Sequence, residues 1–275
     1  YDEEDLKSNL AKSTFIKHLP SEKNHLYKLV LKSLRASYSD QSVSSQLKQE
    51  IKNVEILYKK ALYKECRKFV KRAKKLAIDH EKFYYWFELI SWEKKLLEEA
   101  IEQGDFDYDI DKLIEEEAVV IAKLRNLAEY QILYSKINHV FRSGGFTRNA
   151  TERKVVDEIA DYHLIKGKNT AISTRATSIC YYIKGLCAAT NREFDDAFLF
   201  FNKVRTILDN DKKIKSDLSR RYVLTLSHLI RGYIDNGNFE KACDLIQTMK
   251  SLPKEKGFKS IDVEVSIFTL GSNAA

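Results

Sequence analysis

The chain has 275 residues, 44% of them hydrophobic and 32% charged, with a net charge of +7, two prolines and nine glycines. That composition is ample for a buried core, and so few turn formers argue against a sheet-rich fold. The longest aromatic run, Phe83 to Phe87, is cut off by Glu88 and is far too short to cross a bilayer.

In chain order, Tyr1 to His18 carries Leu6, Leu10 and Phe15 at helical spacing, with the acids Asp2 to Asp5 suited to the positive end of a helix dipole. The first residue is a tyrosine inside this acidic pattern, so the natural N-terminus is expected upstream, with or without a removed signal peptide. Leu19-Pro20-Ser21 is read as a break, with Ser21 capping a helix that holds Leu26, Leu29, Val30 and Leu34. A serine-rich connector, 38–45, follows. Leu47, Ile51, Val54, Leu57 and Tyr58 then form an apolar stripe, and the chain turns near Tyr63. Phe83 to Ile101 reads as an aromatic-rich helix ending at Gln103-Gly-Asp-Phe106. Ile110 to Phe141 keeps helical spacing for about thirty positions. Ser143-Gly-Gly-Phe146 is the next turn, and 151–165 the next helix. For 261–270 a truncated helix is favoured over a stray strand.

Two stretches organise the rest, Tyr181 to Phe201 and Leu226 to Ile246. Each reads as a helix, a tight polar turn, an aromatic and an alanine three residues on. In the second, Leu229, Tyr233, Gly237, Phe239 and Ala242 fall where the tetratricopeptide repeat has its signature positions, with Pro253 closing the unit. In the first, Gly185, Phe194, Ala197 and Phe201 do the same, although Lys184 and Arg192 replace the expected leucine and turn glycine. The chain therefore resembles a tetratricopeptide-type helical repeat protein. It is also similar to bacterial helical-repeat proteins of unassigned function, a likeness that adds no activity.

The turn aromatics Tyr63, Phe106, Phe146, Phe194 and Phe239 are 40 to 48 residues apart, longer than the 34 of that family. The expectation is an all-α fold: a single domain over 1–275, built as a right-handed superhelical array of about six antiparallel hairpins turning near Pro20 and those five aromatics. The alanine after each turn should let two helices approach closely, and the aromatic should fill the gap between hairpins. A concave groove follows from such stacking. Family register, with the turn aromatic at position 17, places Lys94, Glu98, Gln131, Tyr134, Asn138, Arg142, Tyr182, Ser227 and Arg231 in that groove. Arg142 and Arg231 suit a carboxylate, and Tyr134 and Tyr182 offer stacking area.

The resemblance implies a protein- or peptide-binding scaffold in the cytoplasm with no catalytic activity and no cofactor, for which an acidic partner is one option. The alternative is the peptide-sensing half of a larger bacterial regulator, which an upstream DNA-binding motif would favour. An enzyme or metal protein is a third reading. Residues 1–80 hold 18 basic and 10 acidic side chains, 81–120 hold 4 and 13, and the remainder 25 and 17. The densest basic run, Lys59 to Lys75, is read as a solvated surface, because no nucleic-acid-binding motif accompanies it.

Cys66, Cys180, Cys187 and Cys243 form no CxxC, and Cys180 and Cys187, seven apart on one helix, lie beyond disulfide reach; this points to an intracellular protein. Asp105, Asp107, Asp109, Asp111 and Glu116 mimic a calcium loop, but Ile110 stands where the loop needs glycine, and acids at a helix N-terminus explain the run. No phosphate loop, HExxH or GxSxG occurs, and the six histidines are scattered.

Overall fold

The computed structural model describes residues 2–9, 13–38, 42–102, 109–255 and 257–259. Among these the regular elements are helical, with no strand. They are α1 (Glu3–Asn9), a 3-10 turn (Thr14–His18), α2 (Leu19–Tyr38), α3 (Val43–Lys59), α4 (Tyr63–Asp79), α5 (Phe83–Glu102) and α6 (Ile110–Arg142). Then follow α7 (Ala150–Ala160), α8 (Thr174–Thr190), α9 (Phe194–Asn210), α10 (Lys212–Asp217), α11 (Ser219–Asp235), α12 (Phe239–Ser251) and a final 3-10 turn (Leu252–Lys254).

The chain divides into two compact units, Tyr1–Gln46 and Leu47–Ala275. In the first, Pro20 does not break the chain: it sits in the first turn of α2, which starts at Leu19. A proline is at home there, because the first-turn N–H groups have no helical acceptor. Lys23 of α2 pairs with Glu3 of α1 at 2.5 Å.

In the second unit α4 packs on α5, α5 on α6, α6 on α8, α8 on α9, α9 on α11 and α11 on α12, with α7 against α6 and α8. The core runs through α6 to α12 and takes in Tyr130, Ile137, Ile183, Leu186, Val204, Leu226 and Phe258. Helix α8 is buried nearly all round, and its sequence has apolar or small residues on every face.

The turns near Tyr63, Phe146, Phe194 and Phe239 are present, and Phe106 lies outside the described residues. One further turn, 80–82, was not anticipated. Four of these turns share one construction, with Ala61, Glu81, Arg192 and Gly237 at positive φ. In each, the N–H of the next residue bonds five residues back: Leu62 to Leu57, Lys82 to Ala77, Glu193 to Ala188 and Asn238 to Tyr233, at 2.8 to 3.0 Å. This is the left-handed closure that satisfies the last carbonyls of a helix.

The alanines behave as expected, since Ala197 and Ala242 are buried. The aromatics do so only in part: Phe194 and Phe239 remain 56% and 63% exposed, although the Phe194 ring meets that of Phe146 edge to face at 6.3 Å. Close approach is secured by glycine instead. A Cβ on Gly185 would lie 2.8 Å from the Phe201 ring, and one on Gly232 2.8 Å from that of Phe198.

Helix α7 ends at Ala160, short of the expected 165. The carbonyl of Leu164 is taken by the Tyr130 hydroxyl at 3.0 Å, and the segment beyond is tied to α6 where Asn126 bonds Thr170 O and Ile172 N. The stretch 261–270 lies outside the described residues.

Candidate functional site

Tyr134 of α6 and Tyr182 of α8 both hold the fifth position of the family register, and the fold brings them together edge to face with ring centroids 5.9 Å apart. Behind Tyr182 lies Phe201 of α9 at 5.4 Å, whose approach the missing side chain of Gly185 allows. The His228 ring of α11 stacks flat on Phe201 at 4.2 Å and 8°, with its Nε2 3.3 Å from the Tyr182 hydroxyl, while Phe141 meets it edge-on at 5.5 Å. Burial drives His228 to a pKa of about 4, so the ring is neutral at pH 7 and, with its proton on Nδ1, accepts a hydrogen bond from the Tyr182 hydroxyl at Nε2. Burial also raises the Tyr182 phenol, against the opposing charges of Arg221 and Arg142.

Over these two tyrosines lies Arg221, its guanidinium carbon 5.0 Å from the Tyr134 ring and 5.5 Å from that of Tyr182. Its Nη1 is buried and has no hydrogen-bond partner. Among the described residues no carboxylate pairs with it, and burial pulls its pKa down although it stays cationic. Cation–π contact offsets part of the desolvation, but a guanidinium enclosed without an anion is an unusual arrangement. Arg142, exposed at the last position of α6, adds a second positive charge.

The other groove candidates are scattered. Tyr182 is buried, 3% exposed, and forms the floor beneath Tyr134 instead of an open stacking surface. Lys94 is held by Glu117 at 2.6 Å, and Arg231 lies beside Asp235 of its own helix at 3.7 Å. Gln131 and Glu98 are exposed, and Asn138 and Ser227 half-buried. Arg221, His228 and Phe141 were missed. In family register Arg221 falls before the first position of its unit; only helices longer than the family's bring it opposite Tyr134.

A second polar cluster locks the turn between α4 and α5 to later helices. The Glu81 carboxylate accepts from the N–H groups of Thr174 and Arg175 at 2.8 and 2.7 Å, an added cap on α8 beside Ser173. Arg175 donates from Nε to His80 O at 3.0 Å and from Nη2 to Asp217, which Lys82 also approaches at 3.1 Å. Every charge here has a partner.

The same holds for Lys74, bound to Glu93 at 2.6 Å and Glu116 at 3.0 Å, with the Trp86 indole N–H donating to Glu116 at 2.6 Å. Lys74, Glu93 and Glu116 line a cavity of about 180 Å³ between α4, α5 and α6. Of the calcium-loop mimic, Asp109 caps α6 by accepting from Lys112 N at 2.9 Å, and Asp105 and Asp107 lie outside the described residues. Within the basic run, Lys59, Lys68 and Arg72 pair with Glu55, Glu65 and Glu50, and the two lysines flanking Glu55 hold its carboxyl at about 2. All four cysteines are free. No helix of the described residues is long and apolar enough to cross a membrane. No family model, no curated protein and no solved structure matches the chain.

Proposed function

We propose that the chain is a tetratricopeptide-like right-handed superhelical scaffold that binds a protein or peptide partner through the face formed by α6, α8 and α11. The partner presents a carboxylate, from an acidic side chain or a chain end, to Arg221 and Arg142 above the Tyr134 ring. No bond is made or broken, and neither cofactor nor metal is required. Four free cysteines suit a reducing compartment, and the proposal places the scaffold in the cytoplasm.

The observation that carries this reading is the Arg221 guanidinium, half-buried over two tyrosine rings with a buried Nη1 that none of the described residues satisfies. An incoming carboxylate supplies the missing anion and acceptor together, and guanidinium geometry favours two parallel bonds. Packed consecutive helices, with four like-built turns, support the scaffold half of the proposal.

The test is a fluorescence-anisotropy screen of acidic peptides with free and with amidated C-termini. Binding should weaken at least roughly tenfold in Arg221→Ala and in Tyr134→Ala, and less in Arg231→Ala, whose own-helix acid already accompanies it. Binding that survives Arg221→Ala and Arg142→Ala together but is lost on changing Lys71 and Lys75 would move the site to the basic face of α4.

A further inference from the structure

Helix α6 is apolar on two opposite faces. One of them packs, burying Val120, Tyr130, Leu133, Ile137 and Val140. On the other, Ile114, Ile121 and Ile132 are 55%, 48% and 59% exposed, with the exposed Ala118 and Ala128 between them. A helix apolar on both sides is ordinarily enclosed on both.

We propose that this second face is the seam of a homodimer in which two copies of α6 lie antiparallel. The argument rests on spacing. Positions 114, 118, 121, 125, 128 and 132 follow one another by four and three, the heptad alternation of a helix–helix seam. Drift from a strict heptad is about 20° per seven residues, so positions spanning fewer than three heptads stay on one face.

The occupant follows from symmetry, because a two-fold contact has to be self-complementary. Laid antiparallel, the six positions pair Ile114 with Ile132, Ala118 with Ala128 and Ile121 with Arg125, and the three pairs repeat in reverse past the axis. No position of the seam is left over. The alanine layers let the backbones approach, and the isoleucines above and below fill the space beside them. Arg125 lays its stem on the opposite Ile121 and carries its charged end outward, where it already meets Glu129 at 3.1 Å. On the flank, Glu115 of one copy comes near Lys136 of the other. A parallel pairing would instead set Arg125 against Arg125. One helix pair is a small contact beside the roughly 800 Å² per partner of a standard interface, so the dimer is weak, with Kd on the order of micromolar.

Sedimentation equilibrium of the 275-residue chain across the micromolar range should show a reversible monomer–dimer equilibrium. Ile121→Lys should raise its Kd at least roughly tenfold and leave thermal melting of the dilute chain unchanged, since the side chain is exposed. Register is read separately by mild oxidation in a Cys243→Ser background, which removes the exposed native thiol. Mixing Ile114→Cys with Ile132→Cys should give a mixed disulfide, and neither protein alone should cross-link. A monomer at every concentration, a dimer indifferent to Ile121→Lys, or cross-linking of Ile114→Cys to itself would each overturn the proposal.

Discussion

Arg192 and Gly237 hold the same left-handed backbone conformation, φ 66° and 69°, at equivalent points of the α8/α9 and α11/α12 turns. The turn is therefore a property of the helix ends and not of glycine, since an arginine adopts it as well. What differs is the cost, about 1–2 kcal/mol for a residue with a Cβ.

That cost can be recovered where the side chain has no other task. Ala61, at φ 55°, is exposed and closes the α3/α4 turn by the same bonds. Ala61→Gly should therefore raise stability by up to about 1 kcal/mol in urea unfolding. Arg192→Gly should gain less, because the guanidinium it removes lies 4.9 Å from the Phe146 ring. Equal gains in the two variants would show that the cation–π contact contributes nothing.

Gly185 should behave in the opposite sense. In an open helix Gly→Ala is favourable by about 1 kcal/mol, but here the new Cβ would lie 2.8 Å from the Phe201 ring. Overpacking of about 1–3 kcal/mol outweighs the propensity gain, so Gly185→Ala should lower the melting temperature. Enlarging the buried Ala197 or Ala242 to Leu should do the same. Unchanged melting of Gly185→Ala would mean that α8 and α9 are not in close contact at Gly185.

Asp217 holds two cations, Arg175 and Lys82, and is nearly enclosed with them. Removing its charge leaves both side chains without their salt-bridge partner, so Asp217→Asn should cost about 3–5 kcal/mol. Arg175→Met should cost less, because the remaining Lys82–Asp217 pair is intact and the stem is replaced by apolar volume. A double-mutant cycle on Arg175 and Asp217 measures the coupling directly, and a coupling near zero would make the cluster incidental.

Helix positions were largely legible in the sequence because 3.6-residue periodicity is a local property, and α6 emerged within a residue or two of its ends. The bundled aromatic site was half legible. Tyr134 and Tyr182 were reached through repeat register, but whether a fifth-position residue is open or buried depends on its neighbours, and Phe201 and His228 cover Tyr182. Arg221 carried no local signal, since its significance lies in the absence of an acid across a helix–helix contact. The Glu81 cap on Thr174 joins residues 93 apart and the Arg175–Asp217 pair residues 42 apart, which no spacing rule anticipates. Pro20 was misread because a proline marks a helix break and a helix start alike.

The aromatic site also predicts how stability depends on pH. His228 lies against Phe201 and Phe141 with the Tyr182 hydroxyl at Nε2, and burial holds its pKa at about 4, below the ordinary 6.5. In the unfolded chain the imidazole takes up its proton near the ordinary value. Between the two, the unfolded state binds more protons than the folded one, and stability falls as pH falls. The contribution is complete above about 6.5, is lost progressively down to about 4 and then levels off, amounting to at most about 3 kcal/mol. Urea midpoints at intervals from pH 8 to pH 4 should show this loss in the wild-type chain, superposed on whatever the carboxylates contribute. His228→Leu removes the titration while keeping an apolar side chain on Phe201, so its curve should be flatter by the same amount over that window. Parallel curves for the two proteins would mean that His228 is protonated as readily in the folded chain as in the unfolded one, and that its ring is reached by water.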